Sequence, residues 1–294
     1  MRFLFVDQIV QLTPGESVKG LKHVTRDDFY LTADEQGRAC FIPSLIGETL
    51  GQLAAWNVMQ HNQFTLRPVA GVVASAQVHR PAYVGETLLL ESYIDSLDDS
   101  AVLYHSVARV GDEVVFTLEG ALGPLLPMTD FIATDVIRQQ FAEIYRPGAW
   151  PVVSAGKPSS EPLLGLGPSA APFVFDSIVA SDAGISLTAE KRITRAAPYF
   201  PDHFPHKPVL PMTVLLECIL NLTREFIARS GYNINYQFRE LRKIKMNEFI
   251  QPGDVVVCTM KVKQRSDETL ILSCRNEVNA KRVCVVDVVL ERLA

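Results

Sequence analysis

The chain has 294 residues, 48% of them hydrophobic and 21% charged, with a formal net charge of −5. This is the composition of a folded globular chain with apolar surface for one large domain or two ordinary ones. No Lys/Arg-rich block stands out, which argues against nucleic acid or an anionic membrane as partner, and no window reaches the roughly 18 apolar residues of a membrane span.

In chain order, Met1-Arg2-Phe3-Leu4-Phe5-Val6-Asp7 runs straight into strand-like sequence up to Val10, without the long apolar stretch of a signal peptide. A helix is expected from about Pro43 to Gln60. Leu45, Ile46, Leu50, Leu53, Ala54, Trp56 and Met59 cover most of its circumference, so it should be largely enclosed. Proline suits its first turn. Alternating, β-branched strands follow over Thr87–Ile94, Val102–Val107 and Val114–Glu119. From Arg146 to Pro172 the chain is rich in Pro, Gly, Ser and Ala, the composition of a linker.

The same order then recurs. A strand-like start at Phe173–Val179 precedes an apolar helix from about Pro211 to Arg229 and strands over Val255–Val262, Leu270–Arg275 and Arg282–Leu293. Asp7 and Asp176 are 169 residues apart, as are Glu48 and Glu217; Pro43 and Pro211 are 168 apart, as are Gly85 and Gly253. Four landmarks in register mark a duplication. The expected domains are 1–145 and 173–294, joined by a linker over 146–172. The fold class is α+β, one long helix wrapped by a curved antiparallel sheet, twice over: a double hotdog. The five cysteines (Cys40, Cys218, Cys258, Cys274, Cys284) are odd in number and lack C-x-x-C spacing, so they read as reduced thiols of a cytoplasmic protein rather than a zinc site. Arg242, Lys243 and Lys245 are candidates for meeting an acidic carrier, although a solvated strand face is the simpler reading.

Two features could carry chemistry. Prolines 201, 205, 208 and 211 stiffen the loop Tyr199–Pro211, a firm mount for His203. On residue type alone, a loop histidine satisfied by a carbonyl is the simpler account. A metal pair with His206 lacks a third ligand. Glu48 and Glu217 each interrupt an apolar helix. A buried carboxylate needs a donor or cation, or its pKa rises until it holds a proton near neutrality. A purely structural role is equally open. Gln52 and Asn221 follow the glutamates at i+4, on the same helical face.

The segment His203-Phe204-Pro205-His206-Lys207-Pro208-Val209-Leu210-Pro211 through Glu217 resembles the bacterial 3-hydroxyacyl-[acyl-carrier-protein] dehydratases, which place an acid 14 residues after a loop histidine. Val6–Val10 with Pro14-Gly15-Glu16 and Lys22–Thr25, and His79–Thr87, are similar to the opening and post-helix strand of that family. The resemblance implies a site shared between two hotdog units. His203 would be the base and Glu48, from the other copy, the acid, with Gln52 orienting Glu48. Val209 would fix the histidine tautomer and Met212 N–H would polarise the thioester carbonyl, with Phe204 and Thr213 also against substrate. Glu217 and Asn221 would mark a degenerate second site, because Phe29–Gly37 offers no histidine. The implied reaction is dehydration of carrier-protein or CoA thioesters, without metal or other cofactor, in a protein that could form a homodimer. Two departures stand out: His206 and Met212 replace family glycines. A hotdog thioesterase or a non-catalytic acyl-binding protein are the alternative readings.

Overall fold

The computed structural model describes residues 2–34, 36–150, 173–232 and 234–293. The first set of elements is β1 (Gln8–Thr13), β2 (Ser17–His23), a small hairpin of β3 (Leu31–Ala33) and β4 (Ala39–Phe41), helix α1 (Pro43–His61), β5 (Leu66–Pro68), β6 (Val72–Val78), β7 (Thr87–Leu97), β8 (Ala101–Val110), β9 (Glu113–Pro127) and helix α2 (Thr134–Ile144). The second set is β10 (Ser177–Asp182), β11 (Ser186–Arg192), α3 (Met212–Arg229), β12 (Tyr236–Met246), β13 (Val255–Arg265), β14 (Thr269–Val278) and β15 (Lys281–Arg292).

Apart from the separate β3–β4 hairpin and β5, which pairs with β9, these strands form one continuous antiparallel sheet in the order β1-β2-β7-β8-β9-β6-β12-β15-β14-β13-β11-β10. Read outward from the β6–β12 joint, both halves have the same order. The repeat extends to the turns and bulges. Gly85 and Gly253 adopt φ of 95° and 98°, a left-handed conformation that costs glycine nothing. The β1–β2 and β10–β11 ladders slip at Ile9/Gln11 and at Ile178/Ala180. The double hotdog inferred from the duplication is the fold of this chain.

Strand alternation builds the inner face: Leu270, Leu272, Cys274 and Asn276 of β14 are buried while their neighbours are not. Helix α1 is enclosed as expected, with Leu45, Ile46, Leu50 and Leu53 fully buried, each worth about 1.5–3 kcal/mol. It packs against α3 as well as against its own sheet. Buried Asn57 satisfies the β1–β2 turn: its Oδ1 accepts from Gly15 N–H at 2.7 Å, and its Nδ2 donates to the carbonyls of Thr13 and Ser17. All five cysteines are free and buried. Among the described residues no helix is long and apolar enough to cross a membrane.

Several bounds differ from expectation. Helix α3 starts at Met212, with Pro211 as its N-cap, whereas Pro43 is itself the first residue of α1. Phe3–Asp7 forms no strand, and the first strand starts at Gln8. Strand β6 and helix α2 have no counterpart in the sequence reading. Residues 151–172 of the expected linker lie outside the described residues. The segment just before them is stitched to β1, through Arg146 N–H to Ile9 O and Gly148 N–H to Val10 O. Arg242, Lys243 and Lys245 are exposed on β12, and Arg242 is paired with Glu240.

Because β6 is hydrogen-bonded on both sides, Ala76→Pro, at a residue facing Leu118 on one side and Leu241 on the other, should destabilise the whole chain by about 3 kcal/mol or more. Thermal unfolding should report it as a large fall in Tm; an unchanged Tm would mean that the joint bears little of the stability.

Candidate active site between the two copies

The proline-rich loop before α3 folds back on itself around His203. His203 N–H donates to Tyr199 O at 2.9 Å, and Val209 N–H donates to His203 O at 3.1 Å. The imidazole Nδ1 lies 2.9 Å from Val209 O. A carbonyl can only accept, so Nδ1 carries the proton and Nε2 keeps a free lone pair. The Phe204 ring stacks on the imidazole at 4.0 Å. Burial holds the His203 pKa below the ordinary histidine value, against the opposing pull of Glu48 and the Val209 carbonyl.

Glu48 comes from α1 in the other half. Thr213 Oγ1 donates to its Oε2 at 2.6 Å, and Gln52 Nε2 donates to its Oε1 at 3.0 Å. The Gln52 amide is itself locked to the N-terminal segment: Phe5 N–H donates to its Oε1 at 2.9 Å, and its Nε2 also donates to Phe3 O at 3.1 Å. Asp202, which the sequence reading did not single out, holds the same segment from the second half. It accepts Phe3 N–H at 2.7 Å and Arg2 Nε at 3.1 Å.

His203, Glu48, Gln52, Phe204, Val209, Met212 and Thr213 all border one cavity of about 170 Å³. The N–H groups of Met212 and Thr213 open α3 and make no backbone hydrogen bond among the described residues, so the positive end of the helix dipole is available there. The walls are mostly apolar. Gly47 and Gly51 of α1 make room: a Cβ on Gly47 would sit 3.3 Å from the Phe116 ring, and one on Gly51 3.6 Å from Tyr104 Oη. The residues 169 positions later, on α3, are Leu216 and Leu220. His206 is exposed, with Nδ1 3.1 Å from Thr129 O, so the side chain replacing the family glycine leans on the first half. Among the described residues no group of three His, Cys, Asp or Glu is arranged to hold a metal ion.

The mirror-related position is different. Glu217 is buried, and Ser44 stands near it as Thr213 stands near Glu48. Ser44 is close enough to pull the Glu217 pKa down but makes no bond of good geometry, and Glu217 Oε2 has no partner among the described residues. Burial therefore wins and raises the Glu217 pKa. Asn221, one methylene shorter than Gln52, donates to Phe173 O at 2.8 Å and accepts from Arg224 instead of reaching the glutamate. Asp34 occupies the place of the histidine and is tied to Arg38 and Tyr83. Pro43 stands where Met212 stands in α3, and proline has no N–H to offer.

Arg67, on β5, not among the residues expected at the site, borders the cavity, with its guanidinium 4.2 Å over the Phe204 ring.

Residues 180–285 match the profile of the ApeI-like family, described as ApeI dehydratase. A 3-hydroxyacyl-[acyl-carrier-protein] dehydratase FabZ from Thermoanaerobacter sp. (strain X514) is 34% identical over 121 residues, covering 40% of this chain and 83% of the relative. The chain belongs to the 3-hydroxyacyl-[acyl-carrier-protein] dehydratase family. Two solved structures share its fold across nearly the whole length. The dehydratase domain of the polyketide protein PpsC from Mycobacterium tuberculosis is 13% identical, with a TM-score of 0.57 and 98% of each chain covered. The 12:0-ACP thioesterase from Umbellularia californica is 12% identical, with a TM-score of 0.54 and 94% of each covered.

Glu217 supplies a test of this divergence. A carboxyl group whose folded pKa is raised contributes its full stability below the unfolded value of 4.5 and loses it as pH rises through the folded value. Glu217→Gln should therefore stabilise the protein at neutral pH, by on the order of 1 kcal/mol, with the gain closing as pH falls towards 4.5. Urea unfolding at several pH values measures it; a loss of stability at neutral pH would contradict the assignment.

Proposed function

We propose that this chain dehydrates 3-hydroxyacyl thioesters, carried on acyl carrier protein or CoA, to trans-2-enoyl thioesters at a single site assembled from both halves. The observation that carries this reading is that a carbonyl-anchored imidazole from the second half and a carboxyl group from the first, held by Gln52 and Thr213, border the same cavity.

In this scheme the thioester carbonyl lies at the start of α3, where Met212 N–H and the helix dipole receive the charge that develops on its oxygen. His203 Nε2 takes a proton from C2. The released electron pair forms the C2–C3 double bond as the C3–O bond breaks, and the departing hydroxyl takes a proton from Glu48 and leaves as water. Proton return from His203 to Glu48 resets the site. Hydration is the same path reversed. No step calls for a metal or redox group. Glu217 takes no part, because the position matching His203 in the first half is Asp34.

The likeness to thioesterase structures is one of fold alone. A thioesterase would use the helix carboxylate to activate water and would not need the histidine. Incubation with crotonyl thioester separates the two: loss of the enoyl absorbance without free thiol marks hydration, and thiol release marks hydrolysis. Hydration is expected, and His203→Ala should lower its kcat/KM by about 100-fold or more. Thiol release, or hydration unchanged in His203→Ala, contradicts the proposal. Because burial depresses the His203 pKa, the acid limb of kcat/KM should fall below pH 6.5, so activity persists where an ordinary histidine would already be protonated.

A further inference from the structure

Arg67 is a cation in a cavity whose proposed reaction gives it no task. Its Nε is buried and without a partner among the described residues. Among the described residues its Nη1 meets only Met59 Sδ, at 3.9 Å. Its aromatic neighbour is Phe204, whose ring lies 4.2 Å from Cζ and stacks 4.0 Å from His203. Two groups cannot share one face of a ring at those distances, so guanidinium, phenyl and imidazole stack in series. This puts the guanidinium no more than about 8 Å from the catalytic ring.

An aromatic face attracts a cation but cannot accept its in-plane N–H bonds. A guanidinium with a buried Nε and no carboxylate bonded to it is a costly arrangement. Glu48, the acid that acts on it electrostatically, already accepts from Thr213 and Gln52. The guanidinium therefore faces the cavity with its hydrogen-bonding capacity largely unspent, among walls that suit a plain alkyl chain. A methyl-ended chain would leave it unsatisfied; an oxygen acceptor on the chain would complete it.

We propose that Arg67 is an acceptor subsite within the acyl cavity, and that the preferred substrate carries a carboxylate or other oxygen acceptor on its acyl chain beyond the reacting carbons. This rests on the dehydratase reading above and names the substrate class for it. Binding a desolvated carboxylate through a planar fork is the task for which arginine, rather than lysine, is suited.

The test compares trans-2-enoyl thioesters of equal length ending in a methyl group or in a carboxylate, across a range of lengths, with wild type and Arg67→Met. In parallel, calorimetry measures binding of saturated, unreactive acyl thioesters with the same two ends. At the length that reaches Arg67, wild type should favour the carboxylate end by about tenfold or more in kcat/KM and in Kd, and Arg67→Met should bring both ratios to about one or below. A wild-type protein that is indifferent or favours the methyl end at every length overturns the proposal. So does a carboxylate preference that survives Arg67→Met. The wild-type comparison decides the matter should the variant fail to fold. If neither enoyl series is hydrated, the dehydratase reading fails, while the calorimetric comparison still decides whether Arg67 receives an acceptor.

Discussion

The hydrogen bond from Thr213 Oγ1 to Glu48 Oε2, 2.6 Å long, joins residues 165 positions apart and spans the two central helices. A hydrogen bond is worth about 0.5–1.5 kcal/mol net, but its larger effect is geometric. It fixes the carboxyl group of one half against the start of the helix that follows the histidine loop of the other. That contact exists because β6 and β12 pair edge to edge, making one sheet of two halves and setting α1 beside α3. Gln52 and Asp202 then draw the N-terminal segment across the same junction.

Duplication would give two such junctions, and the two have diverged in ways that reinforce one another. On one side stand an imidazole with a free Nε2, an unpaired helix-start N–H and two glycines that leave room. On the other stand Asp34 bound into an ion pair and a proline without a donor. Glu217 persists in the second junction as a buried carboxyl group lacking a full set of donors. Each loss removes the benefit of keeping the others, which is why a fused pair can hold a single proposed site on a symmetric frame.

Much of this was legible in the residues. Apolar coverage of Pro43–Gln60 and Pro211–Arg229 located the helices to within a residue, the recurring offset gave the fold, and the family resemblance, applied to a fused pair, implied that His203 should face Glu48 rather than Glu217. Strand β6 escaped notice because Val72-Val-Ala-Ser-Ala-Gln-Val is short and rich in small residues, and its pairing partner lies in the other half. Helix α2 carries a readable signal, Ile137 and Phe141 at i+4, that is easily lost beside the expected linker. Arg67 gave no signal at all. A single arginine in Thr65-Leu66-Arg67-Pro68 looks like a turn residue, and only the fold brings Phe204 and the cavity to it.

The most direct test of a site built from both halves is to compare Glu48→Gln with Glu217→Gln in crotonyl-thioester hydration under identical conditions. The account predicts a fall of about 100-fold or more in kcat for the first and a rate close to wild type for the second. Equal losses, or the larger loss in Glu217→Gln, would contradict it and return the carboxyl group to the histidine's own half.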